Sequence, residues 1–211
     1  MLKLPHVIAF FFLVLATFYF GCSKSAEEQY DLGVKYWIGE DVPQDKKEAV
    51  RWLRLAAEQG FPPAQNDLGR MYAVGESVPE DSKEAVRWIR LAAEQGFPPA
   101  QNALGRMYAV GESVPEDSNE AVRWFRLAAE QGWPSAQYNL GRVYSIGEGV
   151  PVNHNEAFKW HRLAAEQGLA LAQLSLSLHY SLGRGVPKNN IYSYAWLNIS
   201  ASSTGGEAAE I

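Results

Sequence analysis

The sequence predicts an all-α fold, an α/α solenoid built from five helix-turn-helix repeats of 36 residues. The string LAAEQG ends at Gly60 and returns at intervals of 36 residues. A tryptophan recurs at the same interval: Trp52, Trp88, Trp124, Trp160 and Trp196. A fixed period of this length is typical of repeat proteins, in which each unit buries its apolar face against its neighbours.

The period also gives the expected division of the chain. An export signal is expected over residues 1–21, a short tether over 22–26 and a C-terminal tail over 205–211. The solenoid is expected over 27–204. Its five units are expected at 27–60, 61–96, 97–132, 133–168 and 169–204.

The first residues have the order of a bacterial export signal. Lys3 is followed by an apolar run over 7–20, which at 14 residues is shorter than the roughly 20 that span a bilayer. Residues 19–22 resemble a lipoprotein signal, whose cysteine, here Cys22, becomes the lipidated first residue. The aromatic residues before Gly21 depart from that pattern. Lipidation, cleavage without lipidation and a retained anchor all remain open, and each places the rest of the chain outside the cytoplasm.

The first helix of each unit is predicted from its helical period. In the second unit one stripe is apolar or aromatic: Ala64, Leu68, Met71 and Tyr72. Asn66 and Arg70 are expected to face away from this stripe. Gly75 then suits a left-handed turn that ends the helix.

The second helix is predicted from a cap and an apolar face. Asp81, with Glu84 three residues later, is a capping-box pattern. The face expected to be buried consists of Ala85, Trp88, Ile89, Ala92 and Ala93. On the opposite face, Glu84 is expected to pair with Arg87, and Arg90 with Glu94.

These elements resemble the Sel1-like repeats, relatives of the tetratricopeptide repeats. The shared pattern is an alanine, then LG, a tyrosine, a G-x-x-V loop, an acidic cap, an A-x-x-W helix and a final AA-x-x-G, and it covers about residues 27 to 204. The fifth unit departs from it, because Ser177 replaces the helical glycine and Asn189 lacks a glutamate three residues on. The sequence therefore predicts a less regular, cap-like last unit.

Composition limits the possible partners. Lys plus Arg total 19 and Asp plus Glu total 24, so the formal net charge is −5. Because nucleic acid is bound mainly through its phosphates by basic surfaces, no nucleic-acid partner is expected. The single cysteine, Cys22, excludes an internal disulfide.

The sequence shows no catalytic or cofactor motif. His154, His161 and His179 are separate substitutions, and His161 and His179 align with Phe125 and Met107 of the preceding units. We interpret these two as packed residues, because no Cys, Asp or Glu completes a metal site with them. No serine has an evident His and acid partner, and no glycine loop suits a phosphate. We therefore expect no enzymatic activity, no metal and no cofactor.

Two columns of side chains on the first helices are candidate binding residues. The outer column contains Arg70, Arg106 and Arg142, and the inner column contains Asn66, Asn102 and Tyr138. The columns continue into the fifth unit with Leu178 and Leu174.

The resemblance implies that first helices line a concave groove, in which such columns bind a partner's carboxylate, from an acidic or C-terminal segment. Arginine suits this role because its planar fork donates two parallel hydrogen bonds. The alternative is that the arginines pair with Asp67 or with nearby acidic loops and only keep the surface soluble.

The resemblance implies a non-enzymatic protein-protein interaction scaffold of the bacterial cell envelope, periplasmic or held at the outer membrane through a lipid on Cys22. The alternative is a β-lactam-binding or β-lactam-hydrolysing enzyme, as proposed for cysteine-rich relatives. Those carry paired cysteines in every unit, and this chain has none beyond Cys22. The sequence therefore favours the scaffold.

Overall fold

The computed structural model describes residues 24–205. The predicted export signal, Cys22 and most of the predicted tail lie outside these residues. The described range contains ten α-helices and no β-strand. They are α1 (Ala26–Ile38), α2 (Lys46–Glu58), α3 (Pro62–Val74), α4 (Ser82–Glu94), α5 (Pro98–Val110), α6 (Ser118–Glu130), α7 (Pro134–Ile146), α8 (His154–Glu166), α9 (Ala170–Leu182) and α10 (Asn190–Gly205).

Helices that follow each other in sequence pack against each other. Within each unit the first helix lies along the second, and the second helix then packs on the first helix of the next unit. This arrangement confirms the predicted all-α solenoid of five helical pairs. Between residues 24 and 205, no helix is both long and apolar enough to cross a membrane.

The core is a ladder of equivalent residues. One leucine from each of α3, α5, α7 and α9 is almost fully buried: Leu68, Leu104, Leu140 and Leu176. Trp88 and Trp124 are also buried, which confirms the packed role predicted for them. Trp52, Trp160 and Trp196 are half-buried.

The glycine after each of the first three of these leucines permits close helix packing. A Cβ atom added to Gly105 would lie 2.7 Å from Cδ1 of Phe125 on the paired helix. Any larger residue would therefore push α5 away from α6. In units one to four the paired helices approach closely because this side chain is missing, whereas the fifth unit has Ser177 at the same position.

The first helices end as predicted. Gly75 has a φ of 67°, in the left-handed region, and its N–H donates to the carbonyl of Met71. Glycines in the same conformation end α1, α5, α7 and α9. A left-handed residue at this position satisfies a carbonyl that would otherwise lack a partner.

The second helices begin with a simpler cap than predicted. The Asp81 carboxylate accepts from the N–H groups of Lys83 and Glu84, as an N-cap should. The reciprocal half of the capping box is absent, because the Asp81 N–H already donates to the Tyr72 carbonyl at 3.0 Å. Glu84 instead pairs with Arg87 at 3.2 Å, which confirms that ion pair.

The predicted pair between Arg90 and Glu94 is wrong. Nη2 of Arg90 donates to the hydroxyl of Tyr108 at 3.1 Å, on the first helix of the next unit. Equivalent bonds join Arg54 to Tyr72 and Arg126 to Tyr144. The arginine links neighbouring units because stacking places a tyrosine hydroxyl within its reach.

A second ladder, formed by buried glutamines, also joins the units. Gln101 donates to the carbonyl of Ala93 at 3.2 Å and accepts from Gln131 at 2.8 Å. The same pattern recurs at Gln65 and Gln137. Each buried amide is therefore satisfied by the preceding unit and by the end of the second helix of its own unit.

The fifth unit keeps this arrangement despite its divergent sequence. Ser203 takes the place of the glutamine and donates to Oε1 of Gln173 at 3.2 Å. Ser177, at the glycine position, lies 3.1 Å from the hydroxyl of Ser193 on the paired helix. Short serine side chains thus fit in the last helical pair where glutamine and glycine stand in the other units. Its last helix is nevertheless more exposed, with Ile191 80% and Tyr194 67% exposed, as suits a terminal cap.

Candidate functional site

The outer column of predicted binding residues lies on the first helices as expected. Arg70 and Arg106 are exposed, and neither forms an ion pair with any residue between 24 and 203. Arg142 is half-buried, and its Nη1 lies 3.6 Å from Oε2 of Glu148. Among the described residues, Arg142 is thus the one arginine of the column that pairs with an acidic loop residue, as the alternative predicts.

The inner column is less accessible than predicted. Asn66 is only 5% exposed, and its amide donates to Oδ1 of Asp67 at 3.2 Å, so the expectation that it faces away from the packing is wrong. Asn102 accepts from the amide of Asn139 at 2.9 Å. Successive first helices lie side by side, and positions expected to face solvent fall between them.

The remaining predicted residues lie toward the C-terminal end. Leu174 and Leu178 are exposed, and Tyr138 is half-buried with its ring centroid 5.6 Å from that of His161. Tyr138, Arg142 and Leu178 line one cavity between the fourth and fifth units. The structure therefore brings three of the predicted residues to a single site.

This cavity has a volume of about 210 Å³. Three histidines and a second arginine complete its polar lining: His154, His161, His179 and Arg184. A related cavity of about 290 Å³ lies between the first and second units, where Arg70 is joined by Asp67 and Glu76. Both cavities open beside the first helices, at the ends where the loops leave them.

His161 and His179 form a contact that the sequence analysis did not identify. Nδ1 of His161 lies 3.0 Å from Nε2 of His179, whose own Nδ1 lies 2.6 Å from the carbonyl of Arg184. The carbonyl can only accept, so His179 Nδ1 carries a proton and its Nε2 accepts from His161 Nδ1 in the neutral pair. The 18-residue separation, which also joins Arg90 to Tyr108, is the signal that could have revealed the pair.

Both histidines are packed residues, as the sequence analysis predicts, and they are held neutral. Burial, with the neighbouring His179 ring, lowers the pKa of His161 from 6.5 to about 4. Burial also lowers the pKa of His179. Nε2 of His161 and Nδ1 of His154 are buried without a hydrogen-bond partner. Polar atoms in this state are rare in folded proteins. A Cβ atom added to Gly141 would lie 2.6 Å from Nε2 of His161, so this nitrogen is packed against α7.

A metal centre is not formed by this cluster. In the part of the chain that the structure describes, no group of three or more His, Cys, Asp or Glu residues is arranged to hold an ion. Both ring nitrogens of His179 are already engaged. The cavity instead combines two guanidinium groups, neutral imidazoles and apolar side chains, which suits an anion or a polar segment of a partner.

Solved structures with the same architecture come from bacteria. A protective antigen of uropathogenic Escherichia coli is 44% identical with a TM-score of 0.80, over 85% of this chain and 38% of its own length. The present chain thus spans well under half of that protein. A Sel1 repeat protein from Oxalobacter formigenes is 34% identical with a TM-score of 0.77, over 84% of this chain and 73% of its own.

A more distant structure shares the fold alone. The immunity protein Pa5087 from Pseudomonas aeruginosa is 21% identical with a TM-score of 0.56, over 84% of this chain and 68% of its own. No curated protein sequence matches the chain. The Sel1 repeat pattern matches residues 29–61, 62–97, 98–133, 134–169 and 170–204, so this chain belongs to the Sel1 repeat family.

Proposed function

We propose that the chain is a non-enzymatic scaffold of the bacterial cell envelope, which binds a segment of a partner protein along its first helices. Sel1 repeats generally serve as protein-protein interaction scaffolds, which supports the class of function. The fold supports it too, because a stack of helical repeats offers a long surface to a partner. Which part of this surface binds the partner depends on particular side chains.

The observation that carries the proposal is the state of Arg70 and Arg106. Both are exposed, they stand at the same position in consecutive units, and no side chain between 24 and 203 pairs with them. An unpaired guanidinium retains five N–H donors. Val74 and Val110, one helical turn later, are 70% and 66% exposed. The surface thus combines cationic and apolar contacts, which suits an acidic or C-terminal segment of a partner.

The envelope location is proposed from the first residues of the sequence. The basic start, the apolar run over 7–20 and Cys22 have the order of a lipoprotein signal. A lipid on Cys22 would hold the solenoid at a membrane, in the periplasm or at the outer membrane. The solenoid would then face partners that are themselves exported.

The test is partner capture by charge reversal. A tagged full chain is used to capture proteins from envelope extracts, in parallel with Arg70→Glu combined with Arg106→Glu. We expect the main partner to be lost, because each reversal removes charge-assisted hydrogen bonds worth roughly 1.5–3 kcal/mol and adds repulsion. Added salt should weaken capture by the unmodified chain.

The matched control is Lys47→Glu combined with Lys83→Glu, which reverses two exposed charges on the second helices. Arg87 is less suitable, because it pairs with Glu84 and lies 4.2 Å from the Trp88 ring centroid. Circular dichroism should show equal helicity for both variants. Equal capture by the first-helix variant, or equal loss by the control, would place the partner surface elsewhere.

A further inference from the structure

The two cavities beside the first helices occupy equivalent positions in the solenoid. All eight residues that line the cavity between units one and two have their counterparts, three repeats later, in the cavity between units four and five. The backbone framework is therefore the same at both sites. Any difference in what they bind must come from the side chains.

The side chains give the two cavities opposite charge. The first contains the carboxylates of Asp67 and Glu76 and one arginine. In the second, Ser175 stands in place of Asp67 and Arg184 in place of Glu76, and no carboxylate lines the cavity. The loop position of Arg184 is acidic in all four preceding units: Glu40, Glu76, Glu112 and Glu148. Only the fifth unit reverses this charge.

A second cation reaches the same cavity from the fourth unit. Arg142 stands where the first cavity has Val34, and within residues 24–203 its only ion pair is with Glu148 at 3.6 Å. This separation is longer than a charge-assisted hydrogen bond of about 2.7–2.9 Å. Most of the guanidinium donors of Arg142 are therefore available, as are those of Arg184, which forms no ion pair among the described residues.

Two of the histidines that line the cavity have a buried ring nitrogen without a partner. His161 replaces Leu53 of the first cavity, is 4% exposed and has an Nε2 atom without a partner. Nδ1 of His154 is likewise buried and unpartnered. A buried polar group without a partner costs about 1–3 kcal/mol. Apolar residues at the His161 position avoid this cost in the other units. Nε2 of His161 packs against Gly141 and has almost no accessible surface, so the two arginines, and not this atom, would select the ligand.

We propose that the cavity between the fourth and fifth units binds the carboxylate of a peptide, with Arg142 and Arg184 as its cationic partners. The apolar side chain next to the carboxylate lies against Leu178 and Leu182, which line the same cavity. A volume of about 210 Å³ accommodates a group the size of one residue, and guanidinium forks match the two oxygens of a carboxylate. The inference deepens the function proposed above, on which it rests for the identity of the ligand as part of a protein partner.

The test uses short peptides and does not depend on finding that partner. The purified full chain is titrated with acetyl-Ala-Ala-Ala-Leu as the free acid, while the imidazole signals of His154, His161 and His179 are followed by NMR. We expect saturable shifts of these signals. The C-terminal amide of the same peptide should give none, and acetyl-Ala-Ala-Glu-Leu amide separates a side-chain carboxylate from a terminal one.

Arg184→Glu is the decisive variant, because it restores the residue present in the other four units and should therefore fold. We expect it to lower the affinity for the carboxylate peptide about tenfold or more, a loss of about 1.4 kcal/mol for each factor of ten. The control is Lys188→Glu, in the same loop, where units two and three have Glu80 and Glu116. It makes the same charge change outside the cavity lining and should retain binding.

Several outcomes would overturn the proposal. These are equal shifts with the acid and both amides, unchanged affinity in Arg184→Glu, or an equal loss in Lys188→Glu. Saturable binding of inorganic phosphate in preference to every peptide would also reject a carboxylate ligand. If circular dichroism shows that Arg184→Glu does not fold, the affinity of Arg142→Val for the carboxylate peptide is measured instead. This variant has the residue of the first cavity, and unchanged affinity would overturn the proposal. Peptide binding with no captured partner would leave this site intact and reject only the scaffold role.

Discussion

Nδ1 of His161 lies 3.0 Å from Nε2 of His179, and this contact joins the fourth unit to the fifth. In the preceding interfaces the same two positions hold apolar residues that share a core cluster, such as Phe125 with Val143. A buried polar pair has thus replaced an apolar one at a single interface. The consequences for stability are measurable.

The first prediction is that the free energy of unfolding decreases as the pH falls from about 6.5 to about 4. Burial lowers the pKa of His161 to about 4, so the unfolded chain binds more protons than the folded chain in this window. The free energy of unfolding is therefore highest above pH 6.5, and it falls by roughly 3 kcal/mol once the pH is below about 4. Urea unfolding at several pH values measures the effect.

The matched variant combines His161→Phe with His179→Val, the pair present one interface earlier. We expect it to remove most of this pH dependence, because neither replacement titrates. His154→Ser, which changes another histidine of the same cavity, should retain the dependence. Identical pH profiles for the unmodified chain and the double variant would show that the pair does not control acid stability.

The second prediction concerns the position of a tryptophan along the solenoid. Trp124 is 7% exposed and has a unit on each side, whereas Trp196 is half-buried in the last helix. Trp124→Ala should lower the free energy of unfolding by roughly 3–5 kcal/mol, and Trp196→Ala by less. Equal losses in chemical denaturation would contradict a terminal unit with weaker packing.

The third prediction concerns the glutamine ladder. Gln101→Ala should cost about 1–3 kcal/mol, because the Ala93 carbonyl and the Gln131 amide both lose their buried partner. Asn119→Ala, at an exposed position, should change stability by less than about 0.5 kcal/mol. If the two variants have the same denaturation midpoint, the ladder does not contribute to the coupling of units.

The fourth prediction concerns Cys22. If it is lipidated, the mature chain lacks residues 1–21, carries acyl mass on its first residue and partitions into detergent. Cys22→Ser should abolish all three properties, as measured by mass spectrometry and phase partition. A water-soluble product that begins at Ser23 or later would reject the lipoprotein while leaving export possible.

Features that depend on residues close in sequence, or on the repeat period, could be predicted from the sequence. Gly75 as a helix end, the Glu84 to Arg87 pair and the packed histidines depend on neighbours in sequence or on the repeat period, and the structure confirms them. The missing capping box and the burial of Asn66 could not be predicted in the same way. Both depend on a backbone or side-chain group that another helix brings close.

The sequence by itself determined the solenoid, the number of helical pairs and their order, because a 36-residue period repeats one local packing problem and has one stacked solution. Only the tertiary structure decided which side chains distant in sequence meet: Arg90 with Tyr108, Gln131 with Gln101 and His161 with His179. It also brought Arg142 and Arg184 to one cavity. Such contacts depend on the spacing and rotation between neighbouring helices, which are set by residues such as Gly105 that allow close approach.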